Sequence, residues 1–356
     1  MSRRPNGPYP PGVSTQARGS DFAELSRLVK QQGLLDRRIG FYITFLVGLI
    51  AALGLTGVAL VLIGDSWWQL AVAVVLAIVY TQIAFFGHDA GHRQVFSNGR
   101  ANHTTGLLLG NLLVGVGFGW WMGKHSKHHA NPNHEDEDPD VDISVLAFSA
   151  EQAARKRGFF RLIVKHQAWL FFPLLLLEGF SLHIISTAAA VRREVKNWRL
   201  ELALLATHVV VYLTTVFLVM SPVKALVFIA VHQGLFGVYM GISFAPNHKG
   251  MPVLQAGHQL DFLRKQVLTS RNVSGNWFTD FLLGGLNYQI EHHLFPSMPR
   301  PHLRRAQALV RDFCHRHSVS YAECGLFTSY GHVLKYLHEA GAELRGTGKL
   351  APAGSR

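Results

Sequence analysis

Four uncharged or nearly uncharged runs, each about twenty residues long, constrain this chain more than any other feature. A run of that length is stable where its surroundings are themselves hydrocarbon. There every backbone N–H and C=O must be bonded within the segment, so the run must be an α-helix. Phe41 to Ile63 carries no charge. Trp67 to Phe86 follows after Gly64-Asp65-Ser66, and its Trp67-Trp68 pair suits the aromatic belt at a membrane surface. Glu201 to Met220 and Val223 to Ala245 form a second pair joined by Ser221-Pro222. The expected fold is therefore all-α and integral to a membrane, with four spans in two hairpins.

Composition supports one embedded body rather than two soluble domains. Of 356 residues, 49% are hydrophobic and 16% charged, against roughly 25% charged in ordinary soluble domains, and mean hydropathy is +0.17. We place this body at residues 21–345, between polar tails at 1–20 and 346–356 that are expected to be disordered. The first tail lacks the apolar centre of a secretory signal. The net charge of +12 would point to nucleic acid in a soluble protein. In an apolar chain such residues mark cytoplasmic loops and lipid headgroup contacts, and nucleic-acid binding is set aside. Cys314 and Cys324 have no CxxC spacing, and no disulfide framework is expected.

Histidines cluster beside the apolar runs: His88-Asp-Ala-Gly-His92, His125-Ser-Lys-His128-His129 and Gln289-Ile-Glu-His292-His293. Residues at i and i+4 of a helix share a face, so each cluster can present several rings to one ion. A single membrane-adjacent histidine is ordinarily a hydrogen-bonded helix end, but adjacent pairs repeated at two places are not explained that way. Imidazole-rich, thiol-free ligand sets suit iron better than structural zinc. Asp89, between two candidate ligands, is a candidate acceptor for the outer N–H of one of them.

One metal centre requires all three clusters on one side of the membrane. Two further apolar segments, Thr104 to Trp121 and Trp169 to Val191, would break that parity if they crossed. The first is short and glycine-rich, and the second holds Glu178 and His183, so both are expected not to span. The two hairpin loops contain no Lys or Arg, whereas Arg37-Arg38, Arg155-Lys156-Arg157 and Arg192-Arg193 fall at the other end. The positive-inside rule then puts the histidines and both termini in the cytoplasm, with a bacterial inner membrane as the expected location.

Other features have plainer readings. The acidic run Glu135 to Asp142 lacks the glycine and terminal glutamate of a calcium loop and reads as a solvated loop. Residues 155–161 mix basic and aromatic side chains, as a helix lying on anionic lipid would. His103, His134, His166, His258, His302, His315, His317, His332 and His338 lie in polar or amphipathic stretches and read as solvated or capping. His183, His208 and His232 lie in apolar segments, where an ionisable group is a functional candidate.

The strings His-Asp-Ala-Gly-His-Arg from His88, Lys-His-Ser-Lys-His-His-Ala-Asn-Pro-Asn from Lys124, and Asn-Tyr-Gln-Ile-Glu-His-His-Leu-Phe-Pro-Ser-Met-Pro-Arg from Asn287 resemble the three histidine boxes of the membrane fatty acid desaturases. The third resembles most the front-end branch, which includes delta-5 and delta-6 enzymes, and the likeness runs from about Phe41 to Tyr321. It implies a di-iron enzyme that uses O2 and two electrons to place a cis double bond in a fatty acyl chain, carried on CoA or a glycerolipid. The family also takes a ligand from just past the last span, where His248 stands. The implied ligand set is His88, His92, His125, His128, His129, His248, Gln289, His292 and His293. One iron would take His88, His92, His125, His129 and His293, and the other His128, His248 and His292 with Gln289 direct or through water. Many front-end relatives carry a fused cytochrome b5 domain with a His-Pro-Gly-Gly motif, which is not in this sequence. The expected electron donor is therefore a separate ferredoxin or cytochrome b5-type carrier with an NAD(P)H reductase. Two rivals remain: another histidine-box enzyme (a hydroxylase, ketolase or sphingolipid desaturase), and a metal transporter, whose ligands should lie near the bilayer midplane.

Overall fold

Among the described residues, four helices are long and apolar enough to cross a membrane: α2 (Ile39–Ile63), α3 (Gln69–Gly91), α10 (Trp198–Val219) and α11 (Pro222–His248). The computed structural model of the protein describes residues 20–346, and the expected tails lie outside the described residues except at their boundary positions. The four spans match the four apolar runs. α3 and α11 continue beyond the apolar part, which carries His88 and His248 out on the ends of rigid helices. α3 is largely buried, α11 about half, and α2 and α10 keep most of their apolar side chains exposed, as lipid-facing helices must.

The two hairpin turns meet. Asp65 Oδ1 accepts from the Ser221 backbone N–H at 2.9 Å and from its hydroxyl at 3.0 Å. Lys224, just inside α11, pairs with Asp65 at 3.2 Å. This end therefore holds one lysine that a count over the turn residues alone omits. A core of Tyr42, Leu76, Tyr80, Ile83, Phe86, Phe228 and Phe236 closes α2, α3 and α11 against one another.

Neither of the two ambiguous segments forms a straight span. Residues Gly99–Val114 comprise α4 (Gly99–Leu107) and a π-helical stretch (Leu108–Val114), and meet α5 (Phe118–Ala130) at 116°. α8 (Gln167–Leu175) meets α9 (Glu178–Val191) at 71°. At the first bend Gly115 has φ +85°, and a Cβ there would fall 2.9 Å from His183 Cε1 and closer still to the His208 ring. The turn's polar backbone is satisfied by protein: His183 Nδ1 donates to Gly115 O at 2.7 Å and His208 Nδ1 to Leu112 O at 3.0 Å. Ser186 Oγ accepts from Gly117 N at 3.0 Å, and Glu201 Oε2 from Gly119 N at 3.1 Å. Irregular backbone at membrane depth is tolerated when it is buried and bonded in this way. Two of the membrane-depth histidines are thus accounted for by the turn, while His232 Nδ1 accepts from Tyr212 at 2.8 Å.

The remaining elements cap the bundle at its histidine end. They are α1 (Ser20–Gln31), α6 (Ala150–Arg155), α7 (Gly158–Lys165), α12 (Phe262–Leu268), β1 (Asn272–Ser274), α13 (Trp277–Leu282), α14 (Gln289–Leu294), α15 (Leu303–Arg316), β2 (Glu323–Gly325) and α16 (Leu326–Ala340). β1 and β2 pair in parallel, Val273 opposite Cys324, a small departure from an all-α chain. Leu25, Leu263, Val267, Ile290, Leu294, Val310 and Phe313 form a second core beneath α14.

Candidate metal centre

Each histidine box reaches the centre on a different element, and close packing sets the approach. α3 ends at Gly91, where a Cβ would lie 2.7 Å from Met122 Sδ and 2.8 Å from Trp121 Cζ3. Glycine there lets box one press against α5. His88 and His92 come from the end of α3, His125, His128 and His129 from α5, His248 from the last residue of α11, and Gln289, His292 and His293 from α14.

The rings form two groups. His88, His92, His125 and His292 bring ligand nitrogens within 4.8 Å of one another, and so do His128, His248 and His293. His129 lies between them, with Nε2 3.1 Å from His125 Nε2 and its ring stacked on His293 at 4.2 Å. Against the expected division, the rings place His292 with the first group and His293 with the second. The two are adjacent on α14, so their side chains point about 100° apart and must serve different groups. Gln289 stands beside the second group with Nε2 2.9 Å from His248 Nε2, while its Oε1 accepts from Asn247 at 3.3 Å. An amide in this orientation donates toward the centre; binding a metal through Oε1 needs the opposite rotation.

Three of these rings are fixed from behind. His128 Nδ1 bonds Asp138 Oδ2 at 2.9 Å, His248 Nδ1 donates to Thr269 O at 3.0 Å, and His293 Nδ1 donates to Gln266 Oε1 at 2.9 Å. Outer acceptors of this kind set the tautomer of a metal-binding imidazole. For His248 and His293 the consequence is chemical. With the proton on Nδ1, both Nε2 atoms carry lone pairs, and these face each other at 3.1 Å. Two acceptors at that distance repel unless a cation lies between them. In the first group, His88 Nε2 and His292 Nε2 are buried without a hydrogen-bond partner among the described residues. The donor set fits a pair of metal ions.

Electrostatics agree. Burial, and then the neighbouring imidazoles, push His92, His125, His129, His292 and His293 well below the usual imidazole range, which favours their neutral form. His128 is raised: burial opposes its charged form, but the bond to Asp138 and the charge of Asp140 outweigh it. Asp140 is in turn held by Lys124 at 2.8 Å. Burial pushes the Glu291 carboxyl up to about 7, with Asn272 donating at 2.7 Å and Tyr321 at 2.8 Å.

Several contributors lie outside the expected set. Asp138 belongs to the acidic run expected to be solvated, yet it is 1% exposed and backs His128. Asp136, Glu137 and Asp142 of the same run remain exposed. Gln266 and Thr269 carry no local signal in the sequence. Asp89 has its expected neighbour only loosely, at 3.4 Å from His88 Nδ1, and pairs more closely with Arg300 at 2.8 Å. His134 and His302 are buried rather than solvated, and His302 Nε2 reaches Asp36 O at 3.2 Å. His183, His208 and His232 belong to neither metal group.

Residues 65–325 match the family model described as fatty acid desaturase. The chain is 32% identical over 335 residues to the acyl-lipid (9-3)-desaturase of Physcomitrium patens, covering 90% of this chain and 62% of that one. It is 28% identical to Delta(8)-fatty-acid desaturase 2 of Arabidopsis thaliana, covering 91% and 75% respectively. Against the Delta(6)-fatty-acid desaturase fat-3 of Caenorhabditis elegans, identity is 30% with 76% and 64% covered. The chain thus spans between three-fifths and three-quarters of the length of these relatives.

Proposed function

Because this chain belongs to the fatty acid desaturase family, we propose that it is an O2-dependent fatty acyl desaturase of the front-end type, acting at a di-iron centre on an acyl chain borne by CoA or a glycerolipid. One observation carries the reading: two buried sets of imidazole nitrogens converge at the histidine-bearing ends of α3 and α11. His88, His92, His125 and His292 would hold one iron and His128, His248 and His293 the other, with His129 between them and Gln289 beside the second. When bound, the irons supply the activation of O2 that an unactivated methylene requires, since no side chain is a strong enough base.

The chain's own residues do the rest. Asp138, Thr269 and Gln266 keep three imidazoles in the ligating tautomer. Burial keeps water from the groups that would otherwise be protonated. Two electrons per turnover are proposed to come from a ferredoxin or cytochrome b5-type carrier fed by an NAD(P)H reductase. The basic residues at the histidine end, set against Lys224 alone beside the hairpin turns, support a cytoplasmic centre. The relatives named above are a moss, a flowering plant and a nematode, and lend no support to a bacterial inner membrane in particular.

Expression in a host without polyunsaturated lipids, fed defined fatty acids, tests the activity. New cis-unsaturated products by gas chromatography, together with about two irons per purified chain, are expected. Hydroxylated products would move the assignment to a sister chemistry. A transporter is disfavoured by position: the ligands sit at the ends of spans, away from the midplane.

A further inference from the structure

The structure marks its own membrane level on the histidine side. On α11, Gly237 and Gly241 receive α8: a Cβ at Gly237 would fall 2.5 Å from Leu175 O, and one at Gly241 2.9 Å from Leu175 Cδ1. Tyr239, two residues from each, lies on the opposite face of α11 and donates to Leu282 O at 2.8 Å at the end of α13. Gln82 of α3 also reaches α13, at Phe281 O, at 2.9 Å. α8 and α13 therefore flank the bundle on opposite sides at one height. From Pro222 to Tyr239 is about 26 Å of helix, close to the roughly 30 Å of a hydrocarbon core.

Both flanking regions expose aromatic side chains. No residue of α13 is buried, and Trp277 is 74% exposed beside Phe278 and Phe281. α7, which leads into α8, packs Val164 against Ala147 and Ala153 and leaves Phe159 71% and Leu162 57% exposed; Trp169 at the start of α8 is 80% exposed. Arg161 and Lys165 stand at i+4 spacing along α7 beside Leu162, and Arg157 precedes the helix as its extended N-cap, donating to Ala154 O at 3.1 Å. Among the described residues none of the three has a carboxylate partner. A helix with one face on protein, one apolar face open and a basic edge has the make-up of an interfacial helix.

We propose that α7 and α13 rest in the headgroup layer on opposite sides of the bundle, and that Arg157, Arg161 and Lys165 bind the phosphates of anionic phospholipids there. The occupant is lipid rather than a second copy because the exposed aromatics occur at the same height on both flanks and the basic edge matches anionic headgroups. The inference is independent of the reaction performed at the metal centre.

The test uses the full chain in lipid nanodiscs. Single-cysteine labels replacing Phe159 or Phe278, in a Cys324→Ser background where Cys314 stays buried, carry a fluorophore; a label at the exposed Asp136 is the reference. The labels at 159 and 278 should be quenched by shallow doxyl-phospholipid and be at least about tenfold less accessible to iodide than the label at 136. Equal iodide access, or protection from both quenchers with a dimeric mass, overturns the proposal. In nanodiscs mixing phosphatidylcholine and phosphatidylglycerol, the triple variant R157Q/R161Q/K165Q should lose about fivefold or more of the phosphatidylglycerol that remains bound after dilution into detergent, since each surface cation near anionic lipid contributes about 1 kcal/mol, a factor of about five. Iron content should not change. Unchanged lipid retention in the triple variant overturns the headgroup assignment.

Discussion

Replacing Arg300 with Gln should damage the first metal group from a distance. The Arg300 guanidinium stands 2.8 Å from Asp89 Oδ2, and both side chains are more than nine-tenths buried. Asp89 lies between ligands His88 and His92, with its other oxygen 3.4 Å from His88 Nδ1. The Arg300 backbone N–H donates to Tyr42 at 3.0 Å, Tyr42 donates to Gln94 at 3.0 Å, and Gln94 donates to Pro296 O at 2.8 Å. The loop after box three is thereby tied to the end of box one. Removing one partner of a buried pair leaves an uncompensated charge and costs about 3–5 kcal/mol. At the roughly 2–4 °C per kcal/mol seen for larger domains, melting should fall by about 6–20 °C. Iron per chain should fall as well, with the loss confined to one of two Mössbauer components. The double variant D89N/R300Q removes both charges and should be more stable than the sum of the single losses allows, by 1 kcal/mol or more. Additive single losses, to within about 0.5 kcal/mol, would refute the coupling.

Other substitutions address other parts of the molecule. His129→Ala and His293→Ala should each abolish desaturation while membrane insertion stays intact; normal product yield from either variant removes that residue from the ligand set. Gln289→His should keep more activity than Gln289→Ala, because an imidazole retains a polar group toward the second metal group; equal loss in product assays points to the substrate pocket instead. Gly115→Ala should cost about 2–4 kcal/mol, from roughly 1 kcal/mol of left-handed strain and about 1–3 kcal/mol of overpacking against His183 and His208, measured as a fall in thermal stability. Reporters fused after Ala101, Arg155 and Arg300 should all signal cytoplasm, and one within Gly64 to Ser66 the outside; an outside signal at Arg155 would separate boxes one and two and contradict a shared centre.

The spans were legible in the sequence because membrane helices are specified locally: a continuous apolar run needs nothing beyond itself to declare a helix. The boxes were legible for a similar reason, since the ligands within each one are spaced at helical intervals. Everything that joins distant segments was not. His292 and His293 must diverge because they are neighbours on a helix, yet which metal group each joins depends on how α14 is rolled against α3 and α11. Asp138 sits among residues chosen by composition to be solvated, and only the return of the chain past His128 buries it. Gln266, Thr269 and Arg300 lie 27, 21 and 211 residues from the imidazoles or carboxylate they hold, a separation no local pattern records.

The parity of crossings joins these two kinds of information. Gathering three boxes around one centre forbids an odd number of crossings between them, a constraint that chemistry imposes on topology. The chain meets it between boxes one and two by folding Gly99–Val114 back at 116°. The cost of that bend is unsatisfied backbone at membrane depth, and the polar groups that remove it come from α9 and α10: His183, Ser186, His208 and Glu201. Ionisable residues in apolar segments, candidates for catalysis by default, here serve the proposed centre indirectly. They stabilise the one turn that keeps His125, His128 and His129 on the same side as His88 and His92.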